Sequence, residues 1–293
     1  MDQSQLASLT VIIAEIALAL HPILIKQIPT GLPTQLLARL STYSILAAIL
    51  AGPKDWAASW GSLTTSANSF LFGAMNLVHI GSSYLSYQHL PAGSALALFY
   101  TYPFFNILAG VLFLGESFDW TLLPLLLLAF VGVLLISKFT KDGNGGDESK
   151  KKNIPLGIAA SLVSALTETM IFMIAKTGKE PTAWLPMLRL YPGALAGLLG
   201  IIGTQGLAVD FSKSVWLPLI LFNVFVGFLG YSLRFFSIPR LPTAIFSILT
   251  FIGVAAGYLW GLLYAKEVPS LGALGGAACI TGALSVLKTV GKN

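Results

Sequence analysis

Residues 90–116 read Leu90-Pro91-Ala92-Gly93-Ser94-Ala95-Leu96-Ala97-Leu98-Phe99-Tyr100-Thr101-Tyr102-Pro103-Phe104-Phe105-Asn106-Ile107-Leu108-Ala109-Gly110-Val111-Leu112-Phe113-Leu114-Gly115-Glu116. No charged side chain interrupts the run from Ala92 to Gly115. About 20 apolar residues in helical conformation cross the ~30 Å hydrocarbon layer of a bilayer, so this stretch reads as a membrane-spanning helix. The rest of the chain agrees. Of its 293 residues 55% are hydrophobic and only 10% charged, where a soluble domain carries roughly 25%. A membrane β-barrel does not fit either, because its strands alternate apolar and polar positions over ~10 residues. The sequence therefore predicts an all-α integral membrane protein.

Nine further stretches resemble the first: 6–26, 34–52, 67–88, 120–138, 154–176, 184–204, 215–238, 242–265 and 270–288. Together with 92–115 they give ten transmembrane helices. Most connections are short and rich in Pro, Gly and Lys, such as Ile28 to Pro33, Gly52-Pro53-Lys54 and Lys176 to Pro181. The segment 141–153 is different: glycine-rich, charged, ending in Lys150-Lys151-Lys152, and placed after five spans. It divides the chain into a first unit, 1–140, and a second, 154–293. Comparing the halves aligns Lys26 with Lys176 and Arg39 with Arg189. One residue further along, Leu90-Pro91 falls on Leu241-Pro242, Gly110 on Gly261 and Glu116 on Glu267, and Gly132 then falls on Gly282. This ordered series predicts an internal duplication. An odd number of spans per copy sends the second copy into the membrane from the opposite side, giving two inverted five-helix repeats, an architecture of secondary transporters. Basic residues at the ends of the spans are nearly balanced between the two sides, so charge leaves the orientation open.

The stretch 90–116 resembles the drug/metabolite transporter superfamily, in particular its EamA-type ten-helix members: small residues after Leu90-Pro91, a mid-helix Tyr102-Pro103, and the closing Gly115-Glu116. The second copy, Leu241-Pro242-Thr243-Ala244 to Ala265-Lys266-Glu267, keeps the opening proline and the glutamate. It has Val254 in place of Pro103 and Lys266 in place of the glycine. The resemblance implies cytoplasmic termini, a cavity lined by the first four helices of each half and a peripheral fifth helix. Members of the superfamily export amino acids, drugs and metabolites, or exchange sugar phosphates and nucleotide sugars.

Charges deep in a span cost at least ~2.5–3.5 kcal/mol on insertion scales, so they face a cavity or a partner. Glu15 lies near the middle of the first span; it either binds a cationic group or a proton, or is a protonated hydrogen-bonding residue. Glu168 shares a helix face with Ser161 and Ser164 at i, i+3 and i+7 spacing. It does not match Glu15 in the repeat register, yet the two have similar depth. Arg39 and Arg189 are the matched basic pair, able to grip a carboxylate or phosphate with parallel donors, or else to snorkel. Asn76, His79 and Ser83 form a polar stripe, and His79 is a titratable candidate. Tyr100 is a pocket candidate, with Tyr102 and Asn106 nearby. Arg234 is the remaining candidate, expected close to the membrane interface. His21-Pro22 and Pro103 are expected to kink their helices.

The sequence has no phosphate-cradling loop, no CxxC or HExxH metal signature and no nucleophile elbow, so no enzyme, metal or cofactor is expected. The lone Cys279 forms no internal disulfide. The net charge of +5 reflects basic helix ends near anionic headgroups rather than nucleic-acid binding. Met1 to Ser8 has no basic n-region, so the first helix is expected to act as its own insertion signal. The expected function is secondary transport of a small polar metabolite, amino acid or amine-like, by alternating access with proton coupling. The alternatives are a sugar-phosphate or nucleotide-sugar exchanger and, in another class, a passive channel or membrane scaffold. The expected partners are a small-molecule substrate and the lipid bilayer of a plasma or inner membrane, with a homodimer left open. Cysteines introduced at Ser4, Asn144 and Lys292 should show the first and last labelled from one side and the middle one from the other. Equal labelling of all three from one side would sink the five-plus-five topology.

Overall fold

The computed structural model describes residues 2–28, 30–57, 67–90, 92–139, 153–178, 182–264 and 270–290. The charged segment 141–152, Pro29, Pro91, Lys179 to Pro181, Lys266-Glu267 and Lys292 lie outside the described residues. Those described are helical, with no strand among them. The helices are α1 (Gln3–Leu18), α2 (His21–Gln27), α3 (Leu32–Leu50), α4 (Ala67–His89), α5 (Ala92–Phe99), α6 (Tyr102–Leu114) and α7 (Leu123–Phe139) in the first half. In the second half they are α8 (Ile154–Gly178), α9 (Trp184–Gln205), α10 (Lys213–Phe222), α11 (Leu229–Ser237), α12 (Thr243–Thr250), α13 (Ile252–Tyr264) and α14 (Leu271–Val290). Six helical stretches among the described residues are long and apolar enough to cross a bilayer: Ser94–Leu114, Trp120–Lys138, Ile154–Gly178, Trp184–Gln205, Lys213–Arg240 and Thr243–Tyr264. Large apolar side chains cover the outside; Phe113 is 77% exposed, and Ile49 and Leu263 are each 70% exposed. Such a surface is unstable in water. It is at rest against lipid, so the chain is a multi-pass integral membrane protein.

Three expected spans are not continuous helices. The first, 6–26, breaks at Ala19-Leu20, and Pro22 falls in the first turn of α2. A proline there donates no N–H to the carbonyl four residues back, so the α1 ladder stops. The span 92–115 breaks at Tyr100-Thr101, with Pro103 in the first turn of α6. The span 242–265 breaks at Phe251, although Val254 stands where the first copy has proline. The register that puts Leu90 on Leu241 also puts Tyr100 on Phe251, so the two breaks coincide. Around the second break the bonding tightens: Phe251 N–H donates to the Ile248 carbonyl (3.3 Å) and Val254 N–H to that of Phe251 (3.0 Å). Thr250 Oγ1 donates to the Ser247 carbonyl at 2.8 Å. Between α10 and α11, Asn223–Phe228 is a π-helical turn, which rotates everything after it relative to an unbroken α-helix.

Packing pairs elements from opposite halves: α4 against α8, α1 against α11, α3 against α9, and α7 against α14. Glycines set the closest approaches. A Cβ on Gly73 would lie 2.7 Å from the Gly193 backbone. A Cβ on Gly132 would lie 2.5 Å from the Gly276 carbonyl, and one on Gly276 would lie 2.6 Å from the Gly132 carbonyl. In lipid, where apolar burial drives no helix association, this backbone-to-backbone contact is the source of the attraction. Gly115 ends α6 in the left-handed conformation, φ 66°, which L side chains avoid. The chain then turns so that Glu116 Oε2 accepts from Thr243 N–H, at the start of α12, at 3.0 Å. Glu116 Oε1 also pairs with Lys176 Nζ at 3.5 Å, and Lys176 donates to the Leu241 carbonyl. The closing Gly-Glu of the 90–116 stretch thus joins α6, α8 and α12.

The glycine contacts give a test. Gly132→Val forces backbone against backbone, so it should lower the unfolding temperature in detergent, by the ~1–3 kcal/mol typical of overpacking. Gly282→Val meets no atom within 4 Å and should leave it unchanged.

Candidate functional site

Glu15 lies on α1, where the helix is held tightly to α11. A Cβ on Gly230 would come within 2.8 Å of Leu18 and 3.6 Å of the Ala14 carbonyl, and Thr10 Oγ1 hydrogen-bonds Ser237 Oγ at 2.8 Å. This close approach brings Glu15, only 3% exposed, to Arg234, 4% exposed. Arg234 Nε stands 3.1 Å from Glu15 Oε1. Its Nη2 stands 2.8 Å from Glu168 Oε1 and donates to the Tyr102 hydroxyl at 3.0 Å. The guanidinium also lies 5.3 Å from the centre of the Tyr102 ring. The Tyr100 hydroxyl, in the break between α5 and α6, donates to Glu15 Oε2 at 3.5 Å. Gly253 makes that approach possible, since a Cβ there would meet the Tyr100 hydroxyl at 2.4 Å and Glu15 Oε2 at 3.1 Å. The arginine expected near the interface is therefore the buried hub of the site. The π turn ahead of α11 and the tight α1–α11 contact turn it inward, and helical periodicity shows neither.

His79 extends the network. Its Nδ1 faces the Ser164 carbonyl at 3.1 Å and the Thr167 hydroxyl at 3.2 Å. That hydroxyl donates to the Val163 carbonyl at 2.8 Å, which leaves it to accept from the imidazole. A carbonyl only accepts, so Nδ1 carries a hydrogen. Nε2 then faces Glu168 Oε2 at 3.1 Å. Lone pairs on both atoms at that distance repel, so a proton belongs to this pair, on the imidazole or on the carboxyl. With that proton, two glutamates, one arginine and one shared proton sum to zero charge.

A cavity adjoins the network. Glu15, Arg234, His79, Tyr100, Ser83 and Arg39 line it, with an aromatic wall of Tyr84, Tyr87, Phe99 and Tyr231. Arg39 is 5% exposed, which rules out snorkelling to the surface. Its guanidinium stacks 5.4 Å from the Tyr43 ring centre and 5.2 Å from that of Tyr231. Arg189 is half-buried on α9 and does not line the cavity. The stripe of Asn76, His79 and Ser83 divides: Asn76 Nδ2 donates to the Leu190 carbonyl at 3.2 Å, tying α4 to α9, while the other two face the cavity. The sequence reading left His21 at the level of a kink; it lines the cavity, edge-on to Phe222 at 4.6 Å. Tyr84, Tyr87 and Tyr231 were likewise not candidates. The available signal was position: Tyr87 lies one turn beyond the stripe of Asn76, His79 and Ser83, and Tyr231 lies beside the Arg234 face.

Residues 5–138 match the family described as EamA-like transporter family, which belongs to the drug/metabolite transporter superfamily. The match covers a little under half of the chain, so the family likeness applies to that segment. No curated protein sequence matches the chain. One solved crystal structure has a similar fold over 97% of this chain and 96% of that one, with a TM-score of 0.74 at 16% identity. That likeness extends the fold beyond the EamA match, through the second half. Within the matched segment, Glu15, His79 and Tyr100 supply one side of the network, and Glu168 and Arg234 come from the half that follows.

The network predicts unequal costs of substitution. Arg234→Gln strands two buried carboxylates and should destabilise the protein in detergent by the ~3–5 kcal/mol of a broken buried ion pair. Adding Glu15→Gln and Glu168→Gln to it removes the stranded charges and should restore part of the loss. Thermal unfolding of single and triple variants measures both, and a triple variant no more stable than Arg234→Gln contradicts the assignment.

Proposed function

We propose that the chain is a secondary transporter that crosses a plasma or inner membrane ten times as two inverted five-helix repeats, 1–140 and 154–293, joined by the linker 141–153. It moves a small polar metabolite of the amino-acid or amine class by alternating access, coupled to protons. The observation that carries this reading is the 3.1 Å contact of His79 Nε2 with Glu168 Oε2, part of one charge network with Glu15 and Arg234 on a cavity wall. The packing supports the repeat. Exchanging halves turns the α4–α8 contact into α11–α1, and turns the matched breaks at Tyr100 and Phe251 into one another. The α7–α14 contact maps onto itself.

In this mechanism Glu15, reached by the Tyr100 hydroxyl, and the aromatic wall receive the ammonium end of the substrate. Pulling Glu15 away from Arg234 leaves Arg234 to Glu168, and a full ion pair there favours release of the proton held with His79. Substrate and proton then compete through Arg234, which is the requirement for exchange. The groups facing this path are Glu15, Tyr100, Tyr102, His79, Glu168, Arg234, Arg39 and His21. A sugar-phosphate exchanger is less well supported, because no lysine is among the described residues that line the cavity.

Saturable counterflow of a labelled metabolite in proteoliposomes would separate a transporter from a channel. Glu168→Gln, which removes the shared proton, should still exchange substrate but fail to accumulate it against a gradient, and its rate should lose pH dependence. Glu15→Gln should instead weaken apparent affinity, by roughly tenfold or more for a lost charge-assisted contact. Concentrative, pH-dependent uptake by Glu168→Gln would overturn the coupling assignment.

A further inference from the structure

The cavity's two buried arginines differ in one respect. Arg234 is held by two carboxylates, whereas Arg39 has no carboxylate within ion-pairing distance among the described residues. Its surroundings are tyrosines: Tyr43, Tyr84, Tyr191 and Tyr231. Their rings and hydroxyls ease the burial of a cation, but they carry no negative charge. The hydroxyls of Tyr84, Tyr191 and Tyr231 reach the Arg39 guanidinium, but its Nε and Nη2 are buried with no close acceptor. These two atoms form one of the edges with which a guanidinium grips a carboxylate through parallel hydrogen bonds. An uncompensated buried charge with unused donors is expensive and persists where something outside the fold completes it.

We propose that Arg39 docks a carboxylate on the substrate, so that the transported class is carboxylates with an apolar or aromatic body, amino acids among them, and not simple amines. This rests on the transporter reading above and narrows it. The charge count favours a carboxylate over a phosphate. The Glu15–Arg234–Glu168–His79 network is neutral with its shared proton, so Arg39 leaves a single positive charge to be met. One carboxylate meets it; a phosphate dianion overshoots, with no lysine among the described lining residues to take the excess. The aromatic wall of Tyr84, Tyr87 and Phe99 gives the body of such a molecule apolar surface.

The test is thermal unfolding of the purified full-length protein in detergent with four probes: benzoate, L-phenylalanine, L-phenylalaninamide and inorganic phosphate. Benzoate and phenylalanine should raise the unfolding temperature; the amide and phosphate should not. Arg39→Lys keeps the charge but loses the fork, so it should need on the order of tenfold more of either acid for the same shift. Arg39→Gln should show no shift with the acids, and without ligand it should unfold no earlier than the wild type, because it removes an unpaired buried charge. A shift with the amide equal to that with the acid, a larger shift with phosphate, no shift with either acid, or full acid response in Arg39→Gln overturns the proposal. So does early unfolding of ligand-free Arg39→Gln, which marks a structural residue; if that variant does not fold, the Arg39→Lys titration decides. Counterflow with the same probes separates the two readings. Acid binding without counterflow removes the transporter and keeps the Arg39 site, whereas counterflow indifferent to the carboxylate does the reverse.

Discussion

Arg234 between Glu15 and Glu168 is the contact on which the centre of this protein depends. A charge left unpaired where water is excluded is costly, so the three side chains are drawn together, and they lie on three helices, α11, α1 and α8. Tyr102 adds the start of α6, and His79, through Glu168, adds α4. One guanidinium thus fixes five helices around a cavity. A network of this kind is weak as a source of stability relative to apolar packing. In the structure the one guanidinium holds both carboxylates at once, through Nε and Nη2.

The backbone is interrupted where the network requires room. The break at Tyr100-Thr101 lets the Tyr100 hydroxyl reach Glu15, and Gly253, two residues past the matching break at Phe251, lets both approach α13. The π turn at Asn223–Phe228 is part of the same design: Gly227 has no Cβ, and one placed there would lie 1.8 Å from the Tyr43 hydroxyl. Tyr43 can therefore lie across α3 and the π turn, holding one side of the Arg39 guanidinium. Irregular backbone at this depth is tolerated because protein, not lipid, surrounds it. Away from the centre the helices are regular, and paired glycines such as Gly132 and Gly276 draw them together.

The membrane class of the chain, its helical character and its EamA likeness were legible in the sequence, because they rest on local properties: apolar run length, low charge, and the Leu90-Pro91 to Gly115-Glu116 pattern. Pro22 and Pro103 announced their helix breaks for the same reason, since a missing N–H acts within one turn. The break at Phe251 was not legible, because no proline marks it. Glu15, Glu168 and His79 stood out as polar residues in apolar spans, a composition signal that singles out a residue without naming its partner.

What only the tertiary structure decided is which of these residues meet. Glu15 and Glu168 do not match in the repeat register, yet both reach Arg234, because a crossing of helices from the two halves brings together positions that no periodicity relates. Arg234 was expected close to the membrane interface; the tight α1–α11 contact made it central. Arg39 and Arg189 matched in sequence, but their side chains have different surroundings, a tyrosine cage for one and a half-buried helix face for the other. Burial in a bilayer depends on hydropathy summed along a segment, so sequence alone determines it. Pairing of charges depends on distances of about 3 Å across separate segments, and only the packed fold sets those.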